Sequence, residues 1–267
     1  MLALLFYNVR VHQGRSSIHR LNCRCAPPFT IVTERRLLKA PTMPKRKAKA
    51  GDVSYVKTIV SIDVGLKNLA LCCLRYNTTN LISHVIEAAL AVEEVVDWHI
   101  HNLEEQLEAK QTLTFPRLCK AVADFTRSRV HLFSAAHTVV IEHQMAPRMR
   151  CIAAALMGAI STLCPDTPCY FQLSNQKLAV WGLSSVGNAS YGTRKAQGVR
   201  LTHHLCGLEL PLSRGRSVTL DTNVFDSYCC PASLAQAASI LKESRKKDDL
   251  ADALLHNLAF AFRDSTT

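Results

Sequence analysis

The chain has no apolar run long enough to cross a bilayer; its nearest candidates are broken by Arg, His or Asp. It has no C-x-x-C pair. Its eleven cysteines are odd in number, and two adjacent pairs, Cys72-Cys73 and Cys229-Cys230, cannot easily bridge themselves. These absences argue against a disulfide framework and a zinc site, and fit a reducing compartment in which buried thiols act as small hydrophobes. Cys23-x-Cys25 is too isolated to suggest metal binding. No internal repeat is visible. Acid is scarce: 21 Asp and Glu face 32 Lys and Arg, a net charge of +11. That balance favours a polyanionic partner, nucleic acid first. With 267 residues, 48% of them hydrophobic, the chain can bury a sizeable core.

Acid is scarcest at the start. Before Asp52 only Glu34 accompanies Arg10, Arg15, Arg20, Arg24, Arg35 and Arg36. Residues 1–56 are expected to be a disordered basic extension outside the fold, with 57–267 forming one domain. Three readings compete for the extension. It is Arg-rich and acid-poor like a transit peptide. Met43, followed by Pro44-Lys45-Arg46-Lys47, also looks like a natural start. The basic run could equally be a nuclear address or a nucleic-acid-binding arm.

Hydrophobic patterning predicts a strand at 58–63, then strands at 69–76 and 81–86 flanking a turn at Asn77-Thr78-Thr79-Asn80. Pro116 introduces a helical pattern carried by Leu118, Val122, Phe125, Val130 and Leu132. A strand at 138–142, a buried Ala-rich helix at 149–163 and a short strand at 169–173 follow. A Gly/Ser/Asn loop at 182–192 leads to a helix from about Arg194. The stretch 207–235 is irregular, and a last helix runs from 248 to about 262. Three meandering strands followed by alternating helices and strands predict a mixed α/β sheet with helices on both faces.

Three places carry chemistry. Thr58 to Asp63 is an apolar strand that closes on a carboxylate before Gly65, and Val139-Val140-Ile141 closes on Glu142. Lys246-Lys247-Asp248-Asp249-Leu250-Ala251-Asp252 opens the last helix with three acids. Asp63 could be an ordinary turn former, and Asp248 an ordinary helix-start acid. Glu142 and Asp252 fit those plainer roles poorly, since Glu is a poor turn former and Asp252 lies among Leu and Ala. Asp249 and Asp252 share a helix face, as do Asp248 and Asp252, and His256 continues that side. Leu250, Ala251, Leu254, Leu258 and Phe260 are expected to pack inward. Converging carboxylates suggest Mg²⁺ or Mn²⁺, and two such cations can stabilise both the attacking water and the leaving oxygen of a phosphodiester.

The strings Ser61 to Ala70, Ile141-Glu142-His143-Gln144 and Lys246 to Ala253 resemble the three signatures of the Holliday junction resolvases of poxviruses and related large DNA viruses. Fungal mitochondrial resolvases share them, and RuvC is a more distant relative. The resemblance covers roughly 57–263. It implies a ribonuclease H-like fold and symmetric cutting of four-way DNA junctions by a homodimer with Mg²⁺, Mn²⁺ being a possible substitute. Carried onto this chain, it implies metal-holding carboxylates at Asp63, Glu142, Asp249 and Asp252, with Asp248 a neighbour able to substitute. Lys177 and Lys195 are the candidate catalytic lysines, each with the plainer reading of a solvated surface residue. Lys67, Gln144, Arg148, Arg150, Arg194, Lys195, Lys246 and Lys247 are the expected DNA contacts. Tyr191 and Trp181 could stack on exposed bases, with core packing the rival role for Trp181. The helix at 152–163 is one candidate dimer contact, and plain burial is the other. A viral protein acting in the infected cell is the first expectation for location, a mitochondrial one the second. The alternatives are another ribonuclease H-like nuclease acting on branched DNA or RNA–DNA hybrid, or a non-catalytic binding module of the same fold.

Overall fold

The computed structural model describes residues 56–77, 84–105, 114–183, 190–208 and 230–265. The readings of the basic extension lie outside these residues. So do the centre of the turn after Asn77, part of the Gly/Ser/Asn loop and most of 207–235.

Strand β1 (Val56–Val64) pairs antiparallel with β2 (Asn68–Asn77) across a turn at 65–67. The Gly65 N–H donates to the Asn68 carbonyl at 2.9 Å. A Cβ at Gly65 would lie 2.8 Å from that same oxygen, so this turn leaves no room for a side chain. The expected third strand at 81–86 is corrected: Val85–Leu90 is a helix, α1. His84 caps it, its Nδ1 accepting from the Ile86 N–H while Glu87 accepts from the His84 N–H. The buried Val85, Ile86, Ala88 and Ala89 follow helical spacing, and the pair Ala88-Ala89 supports that choice. The third strand comes later, as β3 (Val92–Asn102), antiparallel to β2.

The pattern after Pro116 also divides. Helix α2 (Phe115–Ser128) ends at Arg129, and α3 (Val130–Ala135) begins after it. Arg129 reaches back to β3, bonding Asp97 at 2.6 Å and approaching His99 Nε2 at 3.0 Å. Strand β4 (Thr138–His143) then runs parallel to β1. Helix α4 (Pro147–Leu163) and strand β5 (Cys169–Leu173), parallel to β4, follow. The remaining helices are α5 (Gln176–Ala179), α6 (Tyr191–Leu205), α7 (Ala232–Gln236), α8 (Ala238–Glu243) and α9 (Lys247–Ser265). The strand order is β3-β2-β1-β4-β5. Three antiparallel strands continued by two parallel ones, with helices on both faces, make the ribonuclease H-like arrangement.

Side chains alternate across a strand, so each face has its own core. Val60, Ile62, Val64, Val139 and Ile141 point toward α2, α3 and α4. Ile59 and Val140 point toward α1, α6, α7, α8 and α9. Two helices depart from expectation. Helix α4 is buried on one side only, through Ile152, Ala153, Leu156 and Ile160. Helix α9 is buried all round from Leu250 to Ala259, so it has no solvated polar face opposite the packed one. Its polar residues inside that span must find partners within the protein.

Candidate active site

Strand alternation decides where the two strand carboxylates point. Asp63 has the parity of Ile59 and Ser61, and Glu142 that of Val140, so both face α9. The β1–β4 register sets Ile62 beside Ile141, which brings the next residues, Asp63 and Glu142, to neighbouring strand ends. Helix α9 is then fixed across the sheet by four side chains. Ser61 Oγ donates to the Ala253 carbonyl at 2.7 Å, and Trp98 Nε1 to the Leu250 carbonyl at 3.0 Å. Asn257 Nδ2 donates to the Ile59 and Cys72 carbonyls at 2.8 and 3.0 Å, and its Oδ1 accepts from the Tyr76 hydroxyl at 2.7 Å. Asp252, next to the anchored Ala253, is thereby held over the ends of β1 and β4.

Asp63, Glu142, Asp249 and Asp252 line one cleft of about 540 Å³, together with Gln144, Lys177, Tyr191, Arg194 and Lys195. Gln144, expected to contact DNA, turns inward instead. Its Nε2 donates to Glu142 Oε2 and lies 3.5 Å from Asp63 Oδ1. Lys177 Nζ lies 2.7 Å from Asp252 Oδ2 and 3.4 Å from Glu142 Oε1, with only 10% of its side chain exposed. It is not a solvated surface lysine. His256, one turn beyond Asp252, is fully buried with Nε2 3.3 Å from Glu142 Oε1.

The electrostatics follow from this crowding. Burial, then the hydrogen bond and charge of Glu142, push the Asp63 carboxyl well above its ordinary pKa, although part of Asp63 still meets the cleft. Burial likewise raises Asp252, with Asp63 adding to the shift and Lys177 opposing it. Burial and neighbouring Asp248 raise Asp249. Burial works against the charge on Lys177, but Asp252, Glu142 and Asp63 outweigh it and hold the ammonium charged. Burial, followed by the Lys177 charge, lowers His256 to about 3, leaving it a neutral imidazole.

The other expected residues divide between the cleft wall and the surface around it. Asp248 is not on the cleft wall: Lys195, from α6, hydrogen-bonds it and lies 3.6 Å from Asp249 Oδ1. Burial opposes ionisation of Asp248, but the Lys195 bond and charge win and lower its pKa. Asp248 thus serves as a helix-start acid tied to α6. Lys195 also sits 5.4 Å from the centre of the Tyr191 ring, which is 67% exposed at the cleft. Trp181 is buried, so packing wins there. Lys67 pairs with Glu104 at 3.0 Å outside the cleft. Arg148 and Arg150 are exposed on the first turn of α4, Lys246 is exposed ahead of α9, and Lys247 is half-buried at its start. Of the expected phosphate contacts, Arg194 and Lys195 are on the cleft wall. Asn257 was missed, because a lone amide in an apolar helix gives no sign of which carbonyls it will meet.

No family model matches the chain, and no curated protein matches it. Among solved structures, RuvC of Thermus thermophilus aligns with a TM-score of 0.42 and 15% identity, over 78% of this chain and 96% of that one. The same organism's RuvC in complex with a Holliday junction substrate gives 0.40 and 14% over the same shares. A Ppx/GppA family member from Aquifex aeolicus gives 0.28 and 10%, over 77% and 88%. At such scores these likenesses carry no functional weight; the chain's own residues must.

The donor set suits a hard divalent cation: its ligands are oxygens, and burial beside Glu142 raises the Asp63 pKa well above the ordinary carboxylate range. The side chains are nonetheless arranged around Lys177. Among the described residues no three Asp, Glu, His or Cys groups converge at metal-ligand spacing.

Proposed function

We propose that this chain is a Mg²⁺- or Mn²⁺-dependent endodeoxyribonuclease that resolves four-way DNA junctions by paired symmetric hydrolysis. The observation that carries the reading is the meeting of Asp63, Glu142, Asp249 and Asp252 in one cleft of a basic chain, from three distant segments. Burying several carboxylates around one point costs stability unless they serve a cation. Asp63, Glu142, Asp249 and Asp252 would hold it, and when bound it would supply the charge that activates water and offsets the leaving oxygen.

The chain's own groups do the rest. Gln144 orients Glu142 and Asp63. Arg194 at the cleft wall takes the phosphate backbone, and exposed Tyr191 offers a ring to an unstacked base. Arg148, Arg150, Lys246 and Lys247 extend the basic approach. Lys195, held by Asp248, supports α9 and presents positive charge beside the cleft. Two incisions on opposed strands call for two such sites, so the working form is a homodimer, with the small-residue exposed face of α4 as its candidate contact. A virus-encoded protein acting in the infected cell, with a mitochondrial one as the alternative, remains part of the proposal.

Cleavage should be tested on four-way, three-way, flap and RNA–DNA hybrid substrates, with Mg²⁺, with Mn²⁺ and with EDTA. Metal-dependent paired nicks on the four-way junction are expected. Asp63→Asn should abolish cutting while still shifting the junction in a gel. Preference for the hybrid would shift the reading to another ribonuclease H-like nuclease. Wild-type cutting by the variant would refute the site.

A further inference from the structure

The carboxylate cluster already contains a cation, and it belongs to the chain. Lys177 Nζ bridges Glu142 and Asp252 from α5, a single helical turn that begins just after cleft residues Ser174 and Asn175. Its stem is four unbranched methylenes, long enough to move the ammonium without moving the backbone. Beside it, fully buried His256 makes no hydrogen bond through either ring nitrogen, although its Nε2 faces Glu142. A polar group left unsatisfied at this depth signals that the cluster is arranged for more than its present contacts.

We propose that Lys177 is a metal-displaced latch. In the structure its ammonium occupies the place between Glu142 and Asp252, holding both carboxylates in position. Were those oxygens to hold a divalent cation, the ammonium would be repelled at close range and the side chain would move into the cleft, whose wall it lines together with Arg194. There it meets the phosphate. Metal loading and delivery of a positive charge to the substrate are then one event. The idea rests on the metal-dependent reading above.

Two measurements on the full chain test it. The first is reductive methylation of the wild type, read by mass spectrometry. Lys177 should be protected in EDTA and labelled about tenfold faster in saturating Mg²⁺, as expected when a dominant buried state becomes a minor one. The second is Mn²⁺ binding to the wild type, Lys177→Met and Asp63→Asn, by calorimetry without DNA. Removing the competing ammonium should tighten Mn²⁺ binding in Lys177→Met by about tenfold, because the cost of vacating the place is gone. Asp63→Asn should weaken it. If Asp63→Asn weakens binding but Lys177 labels equally with and without Mg²⁺, the latch alone is wrong. If the wild type shows no Mn²⁺ binding that Asp63→Asn weakens, the metal site fails and the latch with it.

Discussion

The two faces of the sheet are built on opposite terms. The face under α2, α3 and α4 is largely dry: Phe125, Phe133, Leu118 and Ile152 fill it, with Thr126 and Thr167 hydroxyls satisfied by nearby carbonyls. The face under α9 buries Ser61, Tyr76, Glu142, Asp252, His256 and Asn257 among its Leu and Ala residues. Apolar burial is non-directional, and it stabilises whichever arrangement excludes water. Hydrogen-bonded polar burial is directional and penalises every arrangement but one. The first face holds the domain together; the second holds one helix at one height and angle over the strand ends.

That contrast can be broken from the dry side. Phe125 is fully buried, against His101 at 4.8 Å and Phe133 at 6.2 Å between ring centroids. Phe125→Ala should cost about 3–5 kcal/mol in a denaturant titration. Its cleavage rate per folded molecule should stay near that of the wild type. A rate loss well beyond the unfolded fraction would show that the dry face also positions the site.

Asn257→Ala should do the reverse. It removes the amide that bonds the Ile59 and Cys72 carbonyls and the Tyr76 hydroxyl, leaving Ser61 Oγ at 3.2 Å as a side-chain donor near the Cys72 carbonyl, and should cost about 1–3 kcal/mol. Because Asn257 lies in the helix that carries Asp252, cleavage should fall further than folding does. Equal falls in both would demote it to an ordinary core contact.

The pH dependence sharpens the comparison. The folded pKa values of Asp63 and Asp252 are raised, so the metal-free folded state keeps protons that the unfolded chain gives up. The stability they contribute is fully present below the unfolded carboxylate value of about 3.9 and is lost as pH rises through the folded values. Asp63→Asn should flatten that decline in EDTA, gaining on the wild type as pH increases from 4 to 8. Parallel curves for the two proteins would show that Asp63 is not strained by its burial.

The smallest effect belongs to neither face. The Lys67–Glu104 pair is exposed beyond the cleft, so Glu104→Gln should change stability by about 0–1 kcal/mol and fade further in high salt. A larger loss would mean that the pair holds the β1–β2 turn in place beyond the bond that the Leu103 N–H already donates to the Lys67 carbonyl at 2.6 Å.

Much of the design is legible in the chain itself. The closing of the apolar runs 58–63 and 138–142 on a carboxylate is visible in the sequence, and the spacing of Asp249, Asp252 and His256 determines a common helical side. That the two strand carboxylates share a face needed the parallel register of β1 on β4, since both runs are apolar on both faces. The helix at 85–90 was harder, since Val85-Ile86 suits a strand and only the His84–Glu87 cap and the following alanines tip the balance. Tertiary structure alone decided that α9 is buried on every side, that Gln144 turns in toward the carboxylates, and that Lys177 rather than Lys195 reaches the centre while Asp248 goes to Lys195. Those outcomes depend on which long, flexible side chains the packed helices bring within reach of which charges, and no local pattern encodes a distance between residues seventy-five positions apart such as Lys177 and Asp252.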